Sequence, residues 1–124
     1  MGIIGIRLSE TEEFYSTKDT KEPRTKWVVG ILDSEVFAAL GAYAANPLKM
    51  MFEIVRFGLK GFENFTDSKG NKVEFDTVSQ YIGGPVNYKV VSSNIMKIIP
   101  HEVINELGEK ILSLSKINEE ETKN

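Results

Sequence analysis

Apolar positions fall into short β-branched or alternating runs as far as residue 91, and into a helical stripe after it. Gly2 to Leu8 alternates loosely and predicts a short strand. Ser9 to Arg24 is polar, with Phe14 and Tyr15 as its large apolar groups. Within it, Ser16 to Arg24 (S-T-K-D-T-K-E-P-R) reads as an exposed loop ending at Pro23, either a solvated connection or an arm that orders on a partner. Trp27 to Leu32 (W-V-V-G-I-L) has the β-branched and aromatic content of a buried strand. Asp33 and Ser34 offer N-caps to an alanine-rich helix running to Ala45, with Val36, Phe37, Leu40 and Tyr43 at helical spacing. Asn46-Pro47 is expected to stop it, since the residue before a proline is pushed out of the α region.

Met50 to Leu59 is the strongest strand candidate, with Phe52, Ile54 and Phe57 among its apolar positions, and Phe62 and Phe65 extend the pattern past Gly61. Asp67-Ser68-Lys69-Gly70-Asn71 is a turn cluster whose glycine supplies positive φ. Beyond it Val73 and Phe75 alternate with Lys72, Glu74 and Asp76, which completes a β-hairpin pattern. Gln80 to Ile82, Gly83-Gly84-Pro85 and Val86 to Val91 form a second, in which Tyr81 and Tyr88 are expected to face each other. Consecutive hairpins imply a mainly antiparallel sheet, of about 4–6 strands, built around Met50 to Val91. Ser92 or Ser93 caps a short helix through Met96 and Ile98, and Pro100 suits the first turn of another. In that last helix Val103, Ile104, Leu107, Ile111, Leu114 and Ile117 lie on one stripe, with Glu102, Glu106, Glu109 and Lys110 outside it. Gly108 weakens it by up to ~1 kcal/mol relative to alanine. The fold class expected is therefore α+β, as one domain over residues 1–118 with a polar arm at 9–24, followed by a disordered acidic tail at 119–124.

Composition narrows the function classes. The chain has 124 residues, 41% of them hydrophobic, which suffices for one core without metals or disulfides. The absence of cysteine removes disulfide frameworks, thiolate zinc sites and cysteine nucleophiles together. Fifteen basic residues stand against 18 acidic ones, for a net charge of -3, and no two basic residues are adjacent. That distribution argues against nucleic acid as the primary ligand. No apolar run approaches the ~20 residues that cross a bilayer, and Met1 to Leu8 is too short and too charged for a signal peptide, so no membrane partner and a cytosolic location are expected.

Candidate chemistry is sparse. His101 is the only histidine; with Glu102 or Glu106 to orient it, it could serve as a general base, but it sits in a helix's first turn and reads as a surface residue. One histidine without cysteine does not build a usual zinc site. The carboxylate pairs Glu12-Glu13 and Glu119-Glu120-Glu121, with Asp67 and Asp76, lie in polar segments where solvation accounts for them. Asp67 to Asn71 lacks the acidic spacing of a calcium loop, and Gly83-Gly84 precedes Pro85 rather than a helix, so it is not a phosphate cradle. No enzyme activity and no cofactor are expected. The remaining resource is aromatic. A sheet covered by helices on one face leaves the other open, and Phe62, Phe65 and Tyr81 are the candidates to stand exposed there as a protein-binding patch.

The run from Phe52 to Phe75 (F-E-I-V-R-F-G-L-K-G-F-E-N-F-T-D-S-K-G-N-K-V-E-F) has the form apolar strand, G-(aromatic)-x-N-(aromatic), D-x-x-G-N, apolar strand. With the later P-H-E-V-I-N-E-L-G-E-K-I-L-S-L-S and the closing E-E-E-T-K-N, it resembles small proteins of tailed-phage and prophage morphogenesis modules, including tail assembly chaperones and their uncharacterised neighbours. The resemblance implies a protein partner, a tape-measure or other virion protein, bound in the host cytoplasm. It brings no catalytic residues. A chaperone-like role asks for apolar positions that shield a helical partner, for which Leu107, Ile111 and Leu114 of the last helix are the further candidates. The alternatives are a structural virion subunit, such as a head-tail connector or decoration protein with homo-oligomeric contacts, and an acidic inhibitor of a host enzyme.

Overall fold

The computed structural model describes residues 2–3 and 8–115. The strand expected over Gly2 to Leu8 falls largely outside these residues; Ile117 of the helical stripe and the tail from Glu119 fall wholly outside them. The fold is α+β, and its strands form two antiparallel sheets rather than one sheet of 4–6 strands, the larger having three.

Strand β2 (Lys26–Gly30) is the centre of the larger sheet, and its alternation places Trp27 and Val29 inside. Its neighbours are β1 (Thr11–Phe14) and β3 (Leu59–Glu63), in the order β1-β2-β3. β1 lies where the sequence reads as a polar loop. It is an edge strand with Phe14 as its one inward apolar residue, paired opposite Trp27, so it needs no alternating apolar pattern of its own. The face turned from the helices carries charge. Lys26 bridges Glu13 of β1 at 2.8 Å and Glu63 of β3 at 3.1 Å, and the two carboxylates raise its pKa above the ordinary lysine value.

Asp33 caps helix α1 (Ser34–Leu40) by accepting the Val36 N–H at 2.9 Å, as the sequence predicts. The helix ends at Leu40 and continues as a 3-10 turn over Gly41–Tyr43. Asn46-Pro47, expected to end that helix, instead starts the next one. The Asn46 side chain accepts the Lys49 N–H at 3.2 Å, and Pro47 occupies the first turn of α2 (Pro47–Gly58). The strongest strand candidate, Met50 to Leu59, is therefore helical up to Gly58. Its charged residues keep helical spacing: buried Glu53 pairs with Lys49 at 3.3 Å and with Arg56 at 2.9 Å, one turn to either side.

The Asp67–Asn71 turn forms, with Asp67 Oδ1 accepting the N–H groups of Lys69 and Asn71 at 2.9 and 3.0 Å, and Gly70 at φ 84°. It closes a single bridge, Thr66 to Lys72, instead of joining two long strands. The second hairpin is formed by β4 (Thr77–Gln80) and β5 (Tyr88–Val91). Its register sets Gln80, not Tyr81, opposite Tyr88.

Helices α3 (Ser93–Met96) and α4 (His101–Ser115) are the last elements among the described residues. α4 lies against α2 through two glycines. A Cβ on Gly58 would come within 2.6 Å of Ile111 Cδ1, and one on Gly108 within 2.4 Å of Met51 Sδ. Gly108 is thus a point of close approach between helices, which its helix-weakening character in the sequence does not reveal. Ser115 joins α4 to the loop after β2, accepting the Leu32 N–H at 3.0 Å and donating to Ile111 O.

Candidate protein-binding surface

Asn64 closes β3 at φ 63°, in the left-handed region that asparagine tolerates better than most residues. The reversal brings Phe62 and Phe65 together at 5.2 Å, both against Trp27 at 5.7 and 5.1 Å, with Phe75 5.3 Å from Phe62. The G-(aromatic)-x-N-(aromatic) motif therefore builds an aromatic cluster on the core side of the sheet. Phe65 is buried and Phe62 half-buried. The outer face of the sheet, where exposed aromatics were expected, holds the Glu13–Lys26–Glu63 ion pairs instead.

The other candidates divide the same way. Leu107 and Ile111 have no exposed surface, and Leu114 is half-buried beside the core. The α4 stripe is thus spent on α2 and β2. Tyr81 alone of the six is well exposed, at 66%.

A groove of about 310 Å³ lies between the polar arm and the start of α4. Its apolar lining comes from Trp27, Phe65, Pro100 and Val103, and its rim from Ser16, Asp19 and Glu102. The arm forming that rim is anchored on the fold. Ser16 and Thr17 donate their hydroxyls to the Glu106 carboxylate, which also takes the Thr17 N–H at 3.1 Å. Arg24 donates to the carbonyls of Asp19 and Ser16, and Asp19 accepts the Thr25 N–H at 2.7 Å. His101 does not line the groove; its Nε2 lies 3.3 Å from Asn105 Nδ2 on the exposed side of α4. Among the described residues no group of three or more His, Asp or Glu side chains is placed to hold a metal ion, and no helix is long and apolar enough to cross a membrane.

The β4–β5 hairpin presents different chemistry. β5 is the inner strand, with Val90 and Val91 buried and Tyr88 tied to the start of α1. The Tyr88 hydroxyl donates to Asp33 Oδ2 at 2.7 Å and lies 3.2 Å from Glu35 Oε2. The bond to Asp33 raises the Tyr88 pKa, so the anchor holds its proton at any ordinary pH. β4 is the outer strand, and among the described residues no other strand pairs with its far edge. Val78, Tyr81 and Val86 are exposed by 45, 66 and 58%, on a hairpin whose one charged side chain is that of exposed Lys89, opposite Ser79. From Thr77 to Tyr88 (T-V-S-Q-Y-I-G-G-P-V-N-Y) there is no charged side chain, in a chain that is 27% charged. Val78, Val86 and the β4 edge did not stand out in the sequence; this uncharged run beside a Gly-Gly-Pro turn was the signal available.

Comparison with protein-family models, with curated proteins and with solved structures gives no match.

Proposed function

We propose that this chain is a non-enzymatic protein-binding protein that acts, chaperone-like, in virus-particle assembly, and that the β4–β5 hairpin is its contact surface. The observation that supports binding is the hairpin itself: an open strand edge beside three exposed apolar side chains, with no charge along Thr77 to Tyr88. Backbone N–H and C=O groups along an open edge give affinity to an incoming strand, and neighbouring apolar groups give it selectivity. The assembly setting is supported by the motif resemblance alone. Of that motif the fold keeps the turn and the aromatic pair, while its first apolar segment is helical.

A second reading, a structural subunit of the particle, is favoured by the same edge. Strand pairing joins subunits more readily than it shields a helical partner, for which the apolar stripe of α4 is not available.

The test is a photo-crosslinking amino acid placed at Tyr81, with the same residue at exposed Glu109 of α4 as control, in cells that make the protein during particle assembly. The expected result is a light-dependent adduct from position 81 that is absent from position 109. No adduct from 81, or equal adducts from both, would overturn the reading. A long helical virion protein in the adduct supports the chaperone role, and a shell or tube subunit supports the structural one.

A further inference from the structure

We infer that the β4 edge pairs with the β4 edge of a second copy of this chain, giving a four-stranded antiparallel sheet in the order β5-β4-β4-β5 about a two-fold axis. The inference rests on the proposal that this hairpin is a contact surface, and it names the occupant.

The charge pattern along the strand edges carries it. The outer strands of the three-stranded sheet are guarded. β1 bears Glu12 and Glu13, ion-paired to Lys110 and Lys26, and β3 bears Lys60 and Glu63. Charges of that kind are the usual protection of a strand edge against pairing with another molecule. β4 (T-V-S-Q) has none of it: no charge, no proline, and an uncharged apex that follows directly. Among the described residues the other sheet is thus protected and this edge is left open.

Symmetry explains why the run is uncharged rather than oppositely charged to a partner. In a two-fold contact, residues near the axis meet their own copies, so any charge there meets its like. A partner of different sequence would tolerate, or use, a complementary charge. With a net charge of -3, two copies approach with least repulsion where charge is sparse, and the β4 edge meets this: its nearest charges are Lys89 on the inner strand and the Glu35 carboxylate at the Gly84 turn. Val78, Tyr81 and Val86 of each copy add apolar contact beside the paired strands. The hairpin is also held in place before pairing, because Tyr88 is fixed to Asp33 and Val90 and Val91 are embedded in the core.

The geometry gives a direct test. A two-fold axis normal to the sheet sets one β4 residue opposite its own copy, with Cα atoms about 4.5–5.5 Å apart, within disulfide reach. The chain has no cysteine, so Thr77→Cys, Val78→Cys, Ser79→Cys and Gln80→Cys each introduce a single thiol, and Glu109→Cys serves as control. Light scattering on the unmodified protein is expected to show a mass rising from 13.9 kDa towards twice that value with concentration. One β4 position or two alternate ones should cross-link rapidly under mild oxidation, and Glu109→Cys should not. Val78→Asp, at a surface position, should keep the circular dichroism and urea midpoint of the parent while weakening self-association about tenfold or more. A monomer mass at every concentration, or cross-linking from Glu109→Cys as fast as from β4, would overturn the inference. If the mass stays monomeric but position 81 photo-crosslinks to a different polypeptide, the second copy is excluded and the contact surface stands. If it stays monomeric and nothing is captured, both fall.

Discussion

Glu106 shows how much one side chain organises. In the sequence it lies off the apolar stripe of α4 and enters only as a group that could orient His101. In the fold it collects the hydroxyls of Ser16 and Thr17 and the Thr17 amide, and so fastens the arm that precedes β2. Partial burial alone would raise its pKa; the hydrogen bonds from Ser16 and Thr17, with the charge of Lys18, outweigh that and hold the carboxyl below its ordinary value. A carboxyl lowered in the folded state contributes stability that is complete above its unfolded pKa and is lost as pH falls through the folded one. Protection of the Thr17 amide, its exchange rate relative to the intrinsic rate at the same pH, is therefore expected to be high at neutral pH and to fall on acidification through the carboxylate range. Glu106→Gln should show the lowered protection already at neutral pH, at a cost of about 1 kcal/mol in global stability. Thr17 protection that does not change with pH would show that the arm is held by other contacts. The sequence could not reveal this role, because Ser16 and Glu106 are far apart along the chain and neither sits in a pattern. Asn64 is a second case: the G-F-E-N-F run stood out as a motif, but neither the positive φ at Asn64 nor the inward turn of the two aromatics could be read from it.

At the scale of elements, the segments legible in advance were those with local chemical punctuation. Asp33 before α1, Gly70 in the turn, Gly-Gly-Pro in the second hairpin and Pro100 before α4 all act where they stand in the sequence. α2 was misread because its apolar residues are dense enough to suit a buried strand. The signals that decide for helix were the Asn46 cap, Pro47 in the first turn and the Lys49–Glu53–Arg56 spacing. β1 was missed because an edge strand needs little apolar character. The two glycines between α2 and α4 separate packing from propensity. Gly58→Ala pushes a methyl group against the branched, fully buried Ile111 and is expected to destabilise by about 1–3 kcal/mol. Gly108→Ala meets only the flexible end of half-buried Met51 while gaining helix propensity, so its effect is expected to stay within about 1 kcal/mol of zero. Urea unfolding of the two variants side by side decides this; equal losses would mean that the helices do not pack as described.

At the scale of the molecule, the α+β class was legible and the division into two sheets was not. Which hairpin joins which strand depends on contacts between distant segments, and these leave no local mark. The same limit hid the surface proposed here for contact. Of the expected contact residues, the aromatic pair and the α4 positions turn towards the core, because a chain this size needs its large apolar groups there. Among the apolar side chains left on the surface, Val78, Tyr81 and Val86 share one hairpin, on a run from Thr77 to Tyr88 without charge. The central claim is that the outer edge of β4 is open in the isolated chain and closes when it finds a partner strand. Amide hydrogen exchange across a concentration series tests it residue by residue. The β4 amides that point away from β5 are predicted to exchange almost freely in dilute protein and to become protected as concentration rises, while those of β2 stay protected throughout. Outward β4 amides already protected in the dilute monomer, or unprotected at every concentration, would contradict the account.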